Sequence, residues 1–267
     1  LDETLFILAL VAYLVVAVAG FLGAERSPFW LGQVRFPSLL GGAVLHLAGL
    51  GALMMETGRL PVHTPGASLA SLGLLVIGAH LLVRRAPRME SLGGLFVPLA
   101  VVLLALSQVL PTDMRPSEVS TPGGFWFPIH ASMTFLGLAG LTVSFGVSVY
   151  YLLVRSRLKS KRLEGLERLP SLDALDRINT RAMLFGFSAL ALGIASGGIW
   201  GATRSSTALD ATGWVTIAVW LWYGLALQIR VVAGWRGRLA ALASVAGFAG
   251  LVLSMVAINV AFQGWHG

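Results

Sequence analysis

The sequence contains no cysteine. A disulfide framework, a thiolate metal site, an iron–sulfur cluster and covalent haem attachment on this chain are therefore excluded. Any metal or redox chemistry must run through histidine, methionine or carboxylate, and there are only five histidines. Charge is equally sparse. Asp, Glu, Lys and Arg make up 12% of the residues, about half the share found in soluble domains. Glycine-rich phosphate loops and dinucleotide fingerprints are absent too, and the scattered glycines read as close helix packing in lipid.

What fills the chain instead is apolar surface. Hydrophobic residues account for 56% and the mean hydropathy is +0.81, which predicts an all-α, polytopic membrane protein. Runs long enough to cross a bilayer, roughly 20 residues each, fall at about 4–23, 37–55, 67–84, 92–110, 129–154, 182–203, 213–230 and 239–260. These make about eight transmembrane helices in one integral membrane domain over 1–267. The first run lacks a basic start and a small-residue cleavage site, and reads as a true span rather than a signal peptide. The stretch "RSRLKSKRLEGLERLPSLDALDRINTR", about 155–181, reads as an amphipathic segment on the inner surface, with Leu172, Leu175 and Ile178 on its apolar side.

Lysine and arginine set the expected orientation. With the N-terminus outside, the inner side holds Arg26 and Arg35, then Arg84, Arg85 and Arg88, then the basic 155–181 segment, and finally Arg230, Arg236 and Arg238. The outer side keeps only Arg59, Arg115 and Arg204. Both termini are then outside. The high pI of about 10.8 follows from a basic inner rim facing anionic lipid, so the expected partner is the bilayer and not nucleic acid. The location this implies is a bacterial inner (cytoplasmic) membrane or an equivalent energy-transducing membrane.

His130 opens the fifth run and His266 follows the eighth, on the same side and at similar depth. Two readings are open at this point. Two neutral imidazoles at one level on different helices can hold the iron of a non-covalent, b-type haem from opposite faces, or His130 is an interfacial polar residue and His266 a frayed end. His46 and His80 form a second pair within the apolar runs, open either to a haem or quinone role or to hydrogen bonding between helices. His63, in the loop "GRLPVHTPG", reads as solvated.

The strings "FWFPIHASMTFLGLAGLTVSFGVSVYYLL", "LDALDRINTRAMLFGFSALALGIASGGIWG" and "GWRGRLAALASVAGFAGLVLSMVAINVAFQGWHG" resemble the cytochrome c assembly family, which includes the CcsA-type and HemX-type haem-handling proteins. The resemblance covers the C-terminal half in order, and "LHLAGLGALMMETGRLP" more loosely. It implies that His130, four residues after Trp126, is one external haem ligand, and that His266, after Asn259 and Gly264, is the other. It also implies a tryptophan-rich outer loop ending in Trp-Asp that presents haem to an apocytochrome. Here that stretch reads "WGATRSSTALDATGW", which keeps Trp200 and Asp210 but not the internal tryptophans. Where the family has a membrane-embedded histidine before an arginine, this chain has Gln228 in "LALQIR", and glutamine is a poor iron ligand.

The expected function is a haem-binding membrane protein of the cytochrome c assembly type that handles haem at the outer face and is not a haem lyase on its own. An alternative is a non-catalytic, haem-bearing or scaffolding subunit of a larger membrane respiratory or electron-transfer complex, with cytochrome c or other membrane subunits as partners. A HemX-like regulator of haem synthesis, acting through the basic inner loop, is a third. The charge asymmetry makes a direct prediction about topology. A reporter fused after Gly267 should report the outer compartment, and one inserted between Lys159 and Arg162 the cytoplasm. Both reporters on one side would remove the shared level of His130 and His266.

Overall fold

The computed structural model describes residues 2–21, 29–58, 60–61, 64–85, 89–110, 125–161, 169–203, 211–234 and 236–263. Among them there is no strand, and eight α-helices and one 3-10 turn carry the chain. They divide into two compact units, Leu1–Thr121 and Pro122–Gly267. Six helices are long and apolar enough to cross a membrane, while Gly93–Val109 and Arg238–Ser254 are apolar but shorter. In lipid an unpaired backbone amide has no water to turn to, so helices are the form such runs must take.

The first unit contains α1 (Asp2–Phe21), α2 (Phe29–Thr57), α3 (Pro65–Val83), a 3-10 turn (Met89–Leu92) and α4 (Gly93–Val109). α1 packs mainly on α2 and also on α4, and α3 packs mainly on α4. Each boundary has a local cause. Gly58 ends α2 with φ +64° while its N–H donates to Met54 O at 2.9 Å, a left-handed stop that favours glycine. Thr64 starts α3 by accepting from the Ala67 N–H through its hydroxyl at 3.1 Å, with Pro65 following at the helix start, where its missing N–H has no acceptor to lose.

The second unit contains α5 (Trp126–Lys159), α6 (Leu172–Thr203), α7 (Ala211–Val232) and α8 (Arg238–Gln263). α5 is central, with 67% of its apolar window buried against 11% for α7. Leu172–Arg181, read from sequence as part of a surface segment, is the opening of α6, which runs unbroken to Thr203. Leu175 there is fully buried, but polar groups turn inward beside it. Arg230 of α7 donates through both guanidinium nitrogens to Asp176, at 3.2 and 2.5 Å, and Asp176 also accepts from the Gly237 N–H at 3.0 Å. One helical turn deeper, Asn179 Oδ1 accepts from Ser144 of α5 at 2.6 Å and from Ser244 of α8 at 3.3 Å. A bidentate pair and a shared amide oxygen thus join all four helices near one end.

Farther along, α5 and α6 touch backbone to backbone. A Cβ on Gly140 would stand 2.8 Å from the Gly186 Cα, and one on Gly137 2.8 Å from the Leu190 N. Small residues let two helices approach this closely, and in lipid that van der Waals contact is a main source of helix association. Gly140→Ala should therefore lower the thermal unfolding midpoint of the detergent-solubilised protein, by the equivalent of about 1–3 kcal/mol of overpacking. Gly198→Ala, where a Cβ meets nothing within 4 Å, should leave the midpoint unchanged or slightly raised. Equal midpoints for the two variants would contradict the close crossing.

Candidate functional site

The site is built at the opposite end of the α5–α6 pair. α5 starts at Trp126 without a side-chain cap, and Pro128 falls within its first turn, where a missing N–H breaks no intrahelical bond. His130 follows one turn after Trp126 and Phe127. Its Nδ1 lies 2.7 Å from the carbonyl oxygen of Gly193 on α6. A carbonyl can only accept, so Nδ1 carries the proton and donates, leaving the lone pair on Nε2.

α6 is shaped for this approach. A Cβ on Gly197 would stand 2.6 Å from His130 Nδ1, and one on Gly193 2.5 Å from the Thr134 hydroxyl. Two glycines one turn apart thus form a bare strip on which His130 and Thr134 lie. Trp200, the next turn of α6, stacks on the His130 ring at 6.1 Å and 17°, and Phe127 packs on Trp200 at 5.2 Å. The hydrogen bond fixes the tautomer and the stack fixes the ring plane. That is the orientation an imidazole needs to present one nitrogen to a metal.

Trp126 pairs with Phe125 at 5.7 Å, edge to face; the ring that meets Trp200 is Phe127. Neither Phe127 nor the Gly193–Gly197 strip stands out in the sequence, although the spacing of four residues between the two glycines carried the signal. Phe125 and Trp214, at 76% and 62% exposure, add aromatic surface near the starts of α5 and α7, as is common at membrane–water boundaries.

His266, Gly264, Asp210 and His63 lie outside the described residues. The course of α8 is set by its contacts with α5. Gly237 sits against the Tyr151 hydroxyl, Ser144 bonds Ser244 at 3.1 Å, and Phe145 stacks on Phe248 at 4.6 Å. As numbers fall along α5 they rise along α8, so the helices are antiparallel. Continued at one rise per residue, that register brings His130 level with about residue 258. α8, ending at Gln263, thus finishes toward the end of α5 where His130 stands.

Gln228 is exposed on α7, while Arg230, two residues on, turns inward to Asp176. Two residues on a helix are about 200° apart, so the amide faces away from the core of the unit. The second histidine pair lies in the first unit. His46 is fully buried between Phe6 and Tyr13 of α1, at ring distances of 5.8 and 5.9 Å, with Tyr13 Oη 3.4 Å from its Nδ1. It meets α3 at Gly73. His80 is seven residues farther along α3, about 10 Å by helical rise, beside Phe96 and Gly93 of α4. The two histidines are thus enclosed by different neighbours at different levels of α3. Among the described residues no three His, Asp or Glu side chains converge on one point.

The family model described as "Cytochrome C assembly protein" matches residues 42–266. Three relatives named cytochrome c biogenesis protein CcsA are similar over most of their length. The protein of Gloeothece citriformis is 26% identical, covering 89% of this chain and 91% of the relative. That of Synechococcus elongatus is 25% identical over 89% and 91%, and that of Synechocystis 24% identical over 100% and 96%. With a match spanning both units and the apolar helices that carry it, the chain is an integral membrane protein that belongs to the cytochrome c assembly family.

Proposed function

We propose that this protein serves cytochrome c assembly by holding non-covalent, b-type haem at the outer face of a bacterial cytoplasmic membrane, or of an equivalent energy-transducing membrane. In this reading His130 and His266 would hold its iron. The observation that carries it is the hydrogen bond from His130 Nδ1 to Gly193 O, which leaves Nε2 as the coordinating nitrogen. The donor set fits the group: a cysteine-free chain offers imidazole, and bis-imidazole ligation needs no covalent link. When bound, haem would supply an iron that takes imidazole nitrogen as a ligand and exchanges single electrons. The protein's own residues then do three things. Gly193 holds the His130 tautomer, Gly197 leaves room for the ring, and Trp200 with Phe127 covers one side of it against solvent.

Haem that binds only the folded protein stabilises it by mass action, about 2.7 kcal/mol at a hundredfold excess over Kd. His130→Ala should therefore lower haem stoichiometry, read by pyridine haemochrome, together with the unfolding temperature. Gly197→Ala pushes a methyl group into the imidazole and should weaken haem retention by roughly 10–100-fold, the usual effect of losing an orienting contact. Gly198→Ala should do neither. Full haem with an unchanged visible spectrum in both His130→Ala and His266→Ala would refute the site.

A second reading, a haem-bearing or scaffolding subunit of a larger membrane complex, is favoured by Gln228. The amide stands where the family's inner histidine is expected, and it faces outward. The stretch between Trp200 and Asp210 also lacks the tryptophans of a presenting platform. Thioether formation needs haem positioned beside an apocytochrome Cys-x-x-Cys-His segment. The chain expressed as sole assembly factor should therefore give no covalent c-type cytochrome, and Gln228→His should not restore one. Thioether-linked product from the unmodified chain would make it a competent synthase; stable copurification with respiratory subunits, haem retained, would support the second reading.

A further inference from the structure

The first unit carries a feature that haem handling in the second does not use. Where α2 begins and α3 ends, a pocket of about 330 Å³ is lined by Phe36, Leu40, Leu81, Arg84, Arg85 and Glu90. Its walls are apolar and its rim is cationic. The Arg84 guanidinium lies 4.1 Å over the Phe36 ring, a cation–π contact that holds it in place while leaving its edge donors open. Glu90 is its ion-pair partner, at 3.8 Å with the carboxylate side chain 75% exposed, a long, solvated pair of little strength. Arg85 is exposed and has no ion pair among the described residues. Two guanidinium charges therefore face one weakly engaged carboxylate, and they outweigh the roughly half negative charge of the α3 C-terminus.

The pocket does not end at its rim. Phe36, Leu40, Val44 and Leu47 are all exposed along α2, and their spacing of three to four residues puts them on one stripe of the helix. That stripe begins at the arginines and runs away from them into the apolar part of the span. A cationic rim at the head of an exposed apolar track has the shape and polarity of one ligand class, an anionic amphiphile lying along the helix.

We propose that this pocket seats the headgroup of an anionic phospholipid. Arg84 and Arg85 hold its phosphate diester, and one acyl chain lies along Phe36, Leu40, Val44 and Leu47. Arginine suits the task because its planar fork donates two parallel hydrogen bonds to phosphate oxygens. A soluble phosphate would satisfy the arginines equally well but would leave the apolar walls and stripe without a role.

The test uses the full-length protein in nanodiscs of phosphatidylcholine with a minor fraction of phosphatidylglycerol, and native mass spectrometry to count the lipid retained. The wild type should retain phosphatidylglycerol well above its share of the bilayer. Removing a basic residue near a membrane weakens anionic lipid binding about fivefold, so Arg84→Gln with Arg85→Gln should reduce retention by about 25-fold. Leu81→Trp, which fills the pocket and keeps both charges, should reduce it as well. Arg155→Gln with Arg157→Gln, which removes the same charge from the exposed end of α5, should not. Unchanged retention in the Arg84/Arg85 variant overturns the proposal. So does an equal loss in the Arg155/Arg157 variant, which would mean general surface attraction. Displacement of the lipid by an equal concentration of inorganic phosphate would assign the site to a soluble anion instead.

Discussion

The close approach of α5 and α6 is the constraint on which the rest of the second unit depends. Between Gly140 and Gly186 no side chain separates the two backbones, and the same pair of helices continues to the Gly193–Gly197 strip where His130 rests. A histidine reaches a carbonyl of a neighbouring helix only if that helix lies within a side chain's length and bears nothing larger than hydrogen at the contact. The hydrogen bond from His130 to Gly193 is thus a consequence of the crossing, and so is the stack of Trp200 on the imidazole. A Cβ at Gly197 would press on the His130 ring, and one at Gly193 on Thr134.

The other end of the unit is held by different physics. Van der Waals contact between glycines fixes which sides of α5 and α6 meet but supplies no directional bond to α7 or α8. Polar groups do, because in a region without water each must find a partner. Asp176 satisfies Arg230 and the Gly237 N–H together, and Asn179 accepts from two serines on two helices. These bonds set the rotation of α6, α7 and α8 relative to α5. Gly237, at φ +63° and against the Tyr151 hydroxyl, lets the chain turn tightly enough for its amide to reach the carboxylate. One end specifies orientation and the other provides proximity, and His130 is positioned by both.

The first unit follows the same economy of small residues with a different outcome. Gly49 and Gly42 of α2 admit the Phe6 and Tyr13 rings of α1, and these enclose His46. The imidazole fills the packing of α1 against α2, whereas His130 is held through its Nδ1 by the Gly193 carbonyl. Burial alone therefore does not mark a ligand. The difference lies in whether the ring stands at the end of a helix pair or in its middle.

Hydropathy determined the helices by itself, since an apolar run of about 20 residues has no other way to satisfy its backbone in lipid. The family likeness was also legible, because it rests on strings such as "LDALDRINTRAMLFGF" that need no coordinates to compare. Side-chain direction was not legible. Gly197 and Gly198 are neighbours in sequence, yet one lies beneath an imidazole and the other faces open space. Trp126 has the family spacing to His130, but Phe127 is the ring that meets Trp200. The segment that holds Asp176 and Asn179 reads as lying on the inner surface, yet both side chains face the core of the unit, while Gln228, in the place of a membrane-embedded histidine, faces out. In each case the deciding quantity is the rotation of a helix about its own axis. Each residue advances that angle by about 100°, and only packing against the neighbouring helices sets its origin.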